Sequence, residues 1–483
     1  MRFKLRGMLY LNNQSLGLYT DYYELTMAQG YFLSNKQNQK ATFDYYFRTN
    51  PYKGGFTVFA GLSDFLEMLQ HFVYSEDDLR FLLKQGLSEG FIAYLRKFQF
   101  KGKIYSVQEG EIVFPNEPLM RVEGNIIECQ LIESLLLNIL NFETLIATKA
   151  YRVKLAAGNK PFADFGLRRA QGLGALHASR AAYIGGAGST SNVLAGKLFH
   201  IPVSGTMAHS WVQSFDNELE AFRSYYNTHP ENTVLLVDTY DTLNSGVPNA
   251  IRIAKEMQEN GHELKGIRLD SGDLAYLSKK AKKMLDQAGL HNVQIIASNQ
   301  LNEYVIKTLI KDQNACIDAF GIGTEMITGK ENAALDGVYK LAEIDGSPKM
   351  KFSENIEKVT LPGKKQLIRY TDEEGKFYRD GILLFDELPE DVETICHPVY
   401  TEKITTVKGL NFEPLHSKVF DGGKILIPPR TPAEIHSYLA ARANNLPEEH
   451  KRFISPHIYK VGISNKLMLN RNTLRQKLKR LTN

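Results

Sequence analysis

Cysteine is scarce in this 483-residue sequence, and its scarcity argues against two kinds of site. Cys129, Cys316 and Cys396 lie far apart, and no histidine stands near them at the spacing of zinc ligands. A disulfide framework and a structural zinc site are therefore not expected, and a reducing cytoplasm is the expected location.

A strong charge of one sign and a long apolar run are also missing. Lys and Arg number 58 against 54 Asp and Glu, so composition gives no support for a nucleic-acid or membrane-surface partner. The longest stretch without charged residues, 198–215, contains His, Ser and Thr and is not expected to span a membrane. The apolar stretch near the N-terminus is shorter than the core of an export signal. With 43% hydrophobic residues, the length predicts a soluble globular protein of two or three domains.

Short apolar runs alternate with longer helical segments between residues 161 and 324. The alternation predicts an α/β fold with a parallel sheet, whose strands are expected at 162–167, 233–237, 267–269, 293–297 and 317–320. Helices are expected at 247–260 and 274–289, where apolar residues recur every three to four positions. We favour an irregular βα barrel. An open doubly wound sheet suits the spacing nearly as well, but no G-x-G-x-x-G follows a strand.

Three domains are expected from the change of pattern along the chain. Residues 1–150 predict an α+β domain with helices near 21–34 and 75–98, a strand at 42–47 and a small antiparallel sheet in 102–122. Residues 151–335 form the expected catalytic barrel. Residues 336–483 predict a mixed region with strands such as 367–370 and 382–385, packing on the other two domains. Its basic segment, 466–480, is most simply interpreted as an exposed helix end, and a polyanion site is the less favoured interpretation.

Polar residues cluster where each predicted strand of the barrel ends. Because the strand ends of a βα barrel form one face, these residues are expected to line one polar mouth. They are Arg168, Arg169, Thr206, His209, Asp238, Thr239, Asp241, Arg268, Asp270, Ser271, Asp273, Ser298, Asn299, Gly321, Gly323 and Thr324.

The arginines and aspartates of this mouth predict a phosphorylated ligand that carries Mg²⁺. Guanidinium groups and the backbone of the Gly-rich turn 321–324 suit phosphate oxygens, and carboxylates suit the metal. Two other interpretations stay open. Arg168 and Arg169 would pair with the aspartates at the rim, or the segment 270–273 would only cap the following helix.

His209 follows a predicted strand and precedes an amphipathic segment. Near bound phosphates a neutral imidazole can act as a nucleophile or a general base, whereas the alternative is a histidine that only caps the next helix. The other Gly-rich stretch, 185–191, lacks the G-K-[ST] ending of a P-loop, so ATP binding of that kind is not expected.

The sequence resembles nicotinate phosphoribosyltransferase of the bacterial type, within the type II phosphoribosyltransferase family. The matching segments run in family order over roughly residues 16–330. They are 20–27 (TDYYELTM), 47–51 (FRTNP), 165–169 (FGLRR), 204–210 (SGTMAHS), 267–274 (IRLDSGDL), 297–299 (ASN) and 321–324 (GIGT).

The resemblance implies an ATP-coupled reaction of nicotinate with 5-phosphoribosyl-1-diphosphate, giving nicotinate mononucleotide and diphosphate in NAD salvage. It implies that His209 is the histidine that ATP phosphorylates. It also implies that Tyr23, Thr206 and Arg268 contact nicotinate, with Arg268 pairing with the carboxylate that nicotinamide lacks.

Further roles follow from the same resemblance. Thr324 with the backbone of Gly321 and Gly323 would hold the 5′-phosphate, and Ser298 and Asn299 are further substrate-binding candidates. The diphosphate and Mg²⁺ would be met by Arg168, Arg169, Asp270 and Asp273.

In the family the tyrosine at the position of Tyr23 reaches the site of a neighbouring subunit, so a homodimer is expected. Some members carry a cysteine-rich zinc knuckle near the C-terminus, but only Cys396 stands there, so zinc is not expected. Two alternatives remain. One is a related enzyme that uses nicotinamide or quinolinate, and the other is a non-catalytic phosphosugar-binding barrel.

Overall fold

The computed structural model describes residues 15–351 and 360–482. The chain divides into two compact units. The terminal unit comprises Met1–Thr148 and Ala334–Asn483, and the central unit comprises Lys149–Ala333.

The strands are, in chain order, β1 Lys40–Phe47, β2 Thr57–Val58, β3 Lys103–Ser106, β4 Ile112–Val113, β5 Met120–Asn125, β6 Phe162–Asp164, β7 Ser189–Thr190, β8 Val234–Leu236, β9 Gly266–Leu269, β10 Gln294–Ser298, β11 Ala319–Ile322, β12 Gly337–Ile344, β13 Ser347–Pro348, β14 Lys365–Thr371, β15 Phe377–Leu384, β16 Thr394–Cys396, β17 Ile404–Thr406, β18 Asn411–Pro414, β19 Ser417–Asp421, β20 Lys424–Ile425 and β21 Val461–Ser464.

The α-helices are α1 Tyr22–Leu33, α2 Leu62–Gln70, α3 Glu76–Lys84, α4 Glu89–Leu95, α5 Ile126–Leu131, α6 Glu133–Ala157, α7 Gly174–Ile184, α8 Val193–Phe199, α9 His209–Gln213, α10 Glu218–Thr228, α11 Val247–Glu259, α12 Leu274–Gln287, α13 Glu303–Lys311, α14 Thr324–Ile327, α15 Pro432–Asn445 and α16 Asn465–Thr482. Within the described ranges, no helix combines the length and the apolar character needed to cross a bilayer.

The central unit is built on a six-stranded parallel sheet in the order β7-β6-β11-β10-β9-β8. A single parallel bridge between Thr190 and Val203 continues the sheet beyond β7. The predicted α/β pattern of alternating strands and helices is therefore present. β6 ends at Asp164, earlier than the sequence pattern suggests, because the chain turns into a 3₁₀ helix at Leu167–Arg169.

The core of the central unit forms where α10, α11 and α12 cover the strands β8 and β9. On α11 the buried positions are Val247, Ala250, Ile253, Ala254 and Met257, a helical repeat of three to four residues. Burying such side chains contributes about 1.5–3 kcal/mol for each large one. This packing fixes the strand ends from which the polar loops leave.

The terminal unit contains a seven-stranded antiparallel sheet in the order β13-β12-β1-β5-β3-β19-β20. β1 lies between β5, which is close in sequence, and β12, which comes from the last third of the chain. A second six-stranded sheet, β17-β16-β21-β15-β14-β18, is formed by the last third alone.

The helix expected at 75–98 is two helices, α3 and α4. Gly86 follows α3 with a φ of +94°, a left-handed conformation that glycine adopts readily. The Ser88 hydroxyl then accepts a hydrogen bond from the Phe91 N–H and caps α4. The apolar periodicity continues across this break, so periodicity alone predicted one helix.

Candidate active site

The carboxyl ends of the parallel strands bring most of the polar residues together at one edge of the central sheet. Ser298 at the end of β10 stands opposite Gly321 of β11, and Ile322 of β11 stands opposite Asp164 of β6. On the other side Arg268 of β9 lies between β8 and β10. The loops that follow these strands form the candidate site.

His209 begins α9 and is held by a side chain from the loop after β8. Its Nδ1 lies 3.1 Å from the Thr239 hydroxyl oxygen, whereas its Nε2 lies 3.9 Å from Asp270 Oδ2, which is too long for a hydrogen bond. The imidazole is 40% exposed. One ring nitrogen is therefore fixed, and the other faces a carboxylate and remains available for chemistry.

Arg268 is a largely buried cation with unused donors. Its guanidinium donates to the Thr206 hydroxyl, and its Nε is buried with no hydrogen-bond partner in the described ranges. Burial lowers the pKa of Arg268, and the nearby Arg168 lowers it further, against the opposing effect of Asp270 and Asp238. A buried guanidinium in this condition is suited to an incoming anion.

The aspartates of the site accept different hydrogen bonds and have different structural roles. Asp238 Oδ2 accepts hydrogen bonds from the Asp270 N–H (2.8 Å) and the Ser271 hydroxyl (2.7 Å), while Asp238 Oδ1 is buried with no partner among the described residues. Asp270 accepts a hydrogen bond from the Ser298 hydroxyl. Asp273 caps α12 by accepting from the Tyr276 N–H at 2.9 Å.

The capping interpretation of the segment 270–273 thus applies to Asp273 and not to Asp270. Asp241 is likewise a capping residue. It accepts hydrogen bonds from the N–H groups of Leu243 and Asn244, and the contact with Asn244 lowers its pKa.

Arg168 and Arg169 lie on the exposed 3₁₀ turn after β6. In the part of the chain that the structure describes, no carboxylate lies within 4 Å of either guanidinium. The pairing of these arginines with the aspartates at the rim is therefore not observed, and both cations face solvent.

The turn after β11 depends on close packing against Phe165. A Cβ atom on Gly321 would lie 2.3 Å from a ring carbon of Phe165, so only glycine fits there. Gly323 lies beside the Phe165 carbonyl oxygen, and Thr324 begins the short α14. Asn299, after β10, has a left-handed backbone with φ of +75°.

Asp164 supports the structure of this site, but the sequence analysis did not identify it. Asp164 at the end of β6 is fully buried and accepts hydrogen bonds from the Gly166 N–H, the Ser179 hydroxyl and the Thr190 hydroxyl, at 2.7–2.8 Å. Burial raises its pKa, against the effect of these donors. The sequence could have indicated this role, because Asp164 stands inside the apolar run FADF and a buried carboxyl group needs hydrogen-bond partners.

Tyr23 belongs to the terminal unit, where it lies on α1 with its side chain 46% exposed. Burial of part of the ring and the nearby Glu133 raise the pKa of its hydroxyl. Tyr23 therefore presents a neutral ring to solvent.

Comparison with known proteins identifies related chains over nearly the whole length. Family models match the nicotinate phosphoribosyltransferase N-terminal domain at residues 18–141, the nicotinate phosphoribosyltransferase family at 161–379 and its C-terminal domain at 364–471. Nicotinate phosphoribosyltransferase from Bacillus subtilis is 45% identical over 461 residues, covering 94% of each chain. The enzyme of that name from Dictyostelium discoideum is 38% identical, covering 95% of this chain and 88% of its own.

Solved structures agree with these matches. The crystal structure of human nicotinic acid phosphoribosyltransferase has a TM-score of 0.85 and 30% identity, covering 94% of this chain and 99% of the human one. The nicotinate-nucleotide pyrophosphorylase from Pyrococcus furiosus, 24% identical with a TM-score of 0.71, shares the fold. On this evidence the chain belongs to the nicotinate phosphoribosyltransferase family.

Proposed function

We propose that the chain transfers the phosphoribosyl group of 5-phosphoribosyl-1-diphosphate to nicotinate, giving nicotinate mononucleotide and diphosphate. The observation that carries the proposal is the buried, incompletely partnered Arg268 at the same sheet edge as His209 and Asp270. At this edge Arg268 can bind an anionic substrate, and His209 can act as a nucleophile or a base. The three free thiols of the described ranges suit the cytoplasm as the place of this reaction.

Nicotinate is recognised through its carboxylate. The free donors of Arg268 form a charge-assisted pair with that group, Thr206 holds the guanidinium in place, and a tyrosine ring from Tyr23 stacks on the pyridine. Nicotinamide would leave the buried cation without an anion, so the same contact selects against it.

The phosphate groups of the sugar substrate meet the exposed cations and the Gly-rich turn. Arg168 and Arg169, which have no carboxylate partner in the described ranges, receive the diphosphate. The turn of Gly321, Gly323 and Thr324 receives the 5′-phosphate, and Ser298 and Asn299 border it on the neighbouring strand. A sugar phosphate in this position places its anomeric carbon near the sheet edge.

Mg²⁺ fits the aspartates beside these groups. The buried Asp238 Oδ1 has no partner among the described residues, and Asp270 and the uncommitted oxygen of Asp273 complete a set of hard oxygen donors. The ion, when bound, neutralises charge on the diphosphate leaving group. Asp238 also fixes the Asp270 loop, so it orients the other carboxylates.

ATP acts through His209. With Nδ1–H donating to the Thr239 hydroxyl, the lone pair of Nε2 attacks the γ-phosphorus, an N–P bond forms, and the bond to the bridging oxygen breaks as ADP leaves with the electron pair. Water later hydrolyses the phosphohistidine. The free energy released is coupled to the binding and turnover of the other substrates.

The parallel strands follow one another in a cyclic order, which supports an irregular βα barrel. Spatially the sheet runs from Val203 through β7, β6, β11, β10 and β9 to β8, so neighbours in space are also neighbours in the sequence or join its two ends. Among the described residues, this order is interrupted only between Val203 and β8, which do not pair. An open doubly wound sheet would instead reverse its strand order in the middle.

The functional unit is a homodimer in which Tyr23 completes the site of the neighbouring subunit. The exposure of Tyr23 together with its neighbours Tyr19, Tyr22 and Met27 on and before α1 supports this arrangement, since this face is apolar and uncovered within one chain.

A product assay tests the function. Purified protein is supplied with 5-phosphoribosyl-1-diphosphate and nicotinate, nicotinamide or quinolinate, with and without ATP, and mononucleotides are separated by chromatography. Nicotinate mononucleotide should form fastest, and ATP should accelerate it. R268A should lose this preference for nicotinate, whereas R252A, which removes an exposed arginine of α11, should not. Equal use of nicotinamide by the unaltered protein would refute the assignment, and no product with any base would favour a phosphosugar-binding barrel.

The role of His209 has a separate test. H209A should remove acid-labile label from γ-labelled ATP and the acceleration by ATP, while a slow basal transfer remains. Retention of the label in H209A would show that another residue is phosphorylated.

A further inference from the structure

Glu24 is a fully buried residue in the first turn of α1, directly after Tyr23. The helix has twelve residues and buries three of them, Glu24, Leu25 and Ala28, whereas Tyr22 and Tyr23 are about half exposed. A short helix with so few buried apolar residues gains little stability from packing. The orientation of its exposed face, which includes Tyr23, therefore depends in large part on polar contacts.

The carboxylate of Glu24 accepts hydrogen bonds on both of its oxygens. Oε1 accepts from the Ser134 N–H at 3.0 Å and from the hydroxyl of the same residue, and Oε2 accepts from the Thr20 hydroxyl at 2.6 Å. The Ser134 hydroxyl in turn accepts a hydrogen bond from the Asp21 N–H at 3.2 Å. Glu24 therefore links the beginning of α1 to the beginning of α6.

This position suits a carboxylate because two helices begin there. The free N–H groups at a helix N-terminus carry partial positive charge, which stabilises an anion. Asp21 is the N-cap of α1, but its side chain makes no capping hydrogen bond. Ser134 is the second residue of α6, so its N–H is one of the donors that the helix itself leaves unpaired. Removal of the Glu24 carboxylate takes away the acceptor of that N–H.

The burial of Glu24 is not compensated by a cation. Among the described residues, no lysine, arginine or histidine nitrogen lies within 4 Å of its carboxylate. Burial, with a smaller contribution from Glu133, raises the pKa of Glu24 to about 7, against the lowering effect of the hydrogen bonds from Ser134 and Thr20. Apolar side chains would join two helices without this cost. The hydrogen bonds of a carboxylate, however, are directional and fix an orientation more strictly than apolar contacts do.

The hydroxyl of Tyr23 is also placed relative to the beginning of α6. It lies next to Glu133, the residue directly before Ser134. Glu133 is itself held by the side-chain amide of Gln130, which donates to it at 2.8 Å. The backbone end of the tyrosine and its hydroxyl end are thus both fixed with respect to the same helix terminus.

We propose that Glu24 is a positioning residue of the reaction, which holds the ring of Tyr23 in the orientation that stacks on nicotinate. The inference rests on the proposed function, in which Tyr23 contacts the pyridine ring, and it applies whether that site belongs to the same chain or to a neighbouring one. Stacking of flat rings depends on their distance and tilt. Loss of the link to α6 therefore weakens the binding of nicotinate and leaves the groups that carry out the transfer unaltered.

Steady-state kinetics of the full-length protein, with nicotinate as the varied substrate and ATP present, test the proposal. Y23A should raise the KM for nicotinate about tenfold or more, and E24A should raise it about 3–10-fold with kcat changed less than about twofold. E24Q should keep KM within about twofold of the unaltered protein, because the amide oxygen can still accept from Ser134. In the Y23A background, E24A should raise KM no further, because no ring remains to be positioned.

S134A is a second variant, which tests the same link if E24A folds poorly. It removes the hydroxyl between Asp21 and Glu24 but keeps the backbone N–H, so it should raise the KM for nicotinate about 2–5-fold, the range expected for the loss of one hydrogen bond. Circular dichroism and the melting temperature show how much of each variant is folded.

E387A is the matched control in the same unit. Glu387 accepts hydrogen bonds from the Leu384 N–H at 2.7 Å and the Ser464 hydroxyl at 2.6 Å, the same kinds of donor that Glu24 has. E387A should lower the melting temperature and leave KM unchanged, because a loss of folded protein lowers the apparent kcat and not KM.

The inference is wrong if E24A and S134A raise KM no more than E387A does, or if E24A raises KM by the same factor with and without Tyr23. Failure of the unaltered protein to transfer the phosphoribosyl group to nicotinate would instead overturn the proposed function, and this inference with it.

Discussion

At the residue scale, the hydrogen bond between His209 and Thr239 joins two strand ends that lie 30 residues apart in the sequence. The sequence predicts that His209 takes part in the reaction, because it follows a strand of a βα pattern. It also places Thr239 at a strand end, but the pairing of these two side chains depends on which strands stand side by side. No local pattern carries that information.

Thr239 is predicted to position His209. T239V keeps the volume of the side chain and removes the hydroxyl, so the imidazole loses the partner that fixes Nδ1. ATP-dependent acceleration should fall by about 3–10-fold, the range expected for one neutral hydrogen bond, while basal transfer stays unchanged. The measurement compares initial rates with and without ATP as a function of pH.

T239S should restore the coupled rate and its pH profile, because it returns the hydroxyl. T308V, at an exposed position of α13, is the control. If T239S behaves like T239V, the methyl group and its packing explain the effect, and the hydrogen bond does not.

His416 is predicted to make stability depend on pH. Its Nε2–H donates to the Pro118 carbonyl oxygen at 2.6 Å, its Nδ1 is buried without a partner in the described ranges, and burial beside Arg121 lowers its pKa to about 3. The unfolded chain binds a proton near pH 6.5 while the folded chain does not. Stability is therefore complete above that pH and is lost as the pH falls towards 3, by about 2 kcal/mol between pH 8 and pH 5.

Thermal unfolding of the unaltered protein and H416Q over this pH range checks the expectation. Glutamine can still donate to Pro118 but does not titrate, so the melting temperature of H416Q should fall less on acidification. Parallel pH curves for the two proteins would show that His416 does not titrate in this way.

At the element scale, the sequence predicts strand and helix interiors well and their junctions poorly. Each expected strand of the central unit overlaps an observed one, because buried apolar runs have a distinct periodicity. The π-helical turn Thr242–Gly246 before α11 was not predicted. A Cβ on Gly246 would lie 1.8 Å from the Val237 carbonyl oxygen, a tertiary contact that periodicity does not report.

Gly321 is predicted to be required by the contact between β11 and the loop after β6. In G321A the new methyl group would lie 2.3 Å from the Phe165 ring, so the ring or the strand must shift. Overpacking of this kind costs about 1–3 kcal/mol, and the melting temperature should fall by several degrees. Transfer activity should fall as well, because the turn of Thr324 moves.

G188A is the matched control, because Gly188 lies directly before β7 of the same sheet. Its methyl group would lie 3.8 Å from the nearest heavy atom, an ordinary contact, so its melting temperature should stay close to that of the unaltered protein. Equal stability of G321A and G188A would contradict the steric argument.

At the scale of the whole molecule, long-range pairing decides the architecture. The sheet of the terminal unit takes β1, β3 and β5 from the first third of the chain and β12 and β19 from the last. The sequence predicts β1 as a strand at 42–47 and a small antiparallel sheet in 102–122, where β3 and β5 lie, but it predicts neither β12 nor β19. Their pairing across the intervening central unit could not be predicted, because it depends on no local sequence feature.

The proposed homodimer predicts that two variants, each defective in ATP-accelerated transfer to nicotinate, complement each other in this activity. In a mixed dimer of Y23A and R268A, one site takes Arg268 from the first chain and Tyr23 from the second, and the other site lacks both. Random reassociation of equal amounts makes half the dimers mixed, each with one intact site, so about a quarter of the full activity should return.

Equal amounts of the two variants are mixed after mild dissociation, and activity and mass are followed together. Mixing R268A with H209A is the control, since both changes lie in the central unit and no intact site forms if sites are shared only through Tyr23. No recovery with Y23A and R268A, despite mixed dimers detected by mass, would place Tyr23 in the site of its own chain.

The position of β1 between β5 and β12 also sets an order of events during synthesis. At roughly 5–20 residues per second, β12 leaves the ribosome tens of seconds after β1. The central unit of Lys149–Ala333 is complete before then, although its synthesis starts later. Until β12 emerges, one edge of β1 has no partner, and an unpaired edge is a site for aggregation. A nascent chain halted before residue 337 should therefore bind chaperones through its first third.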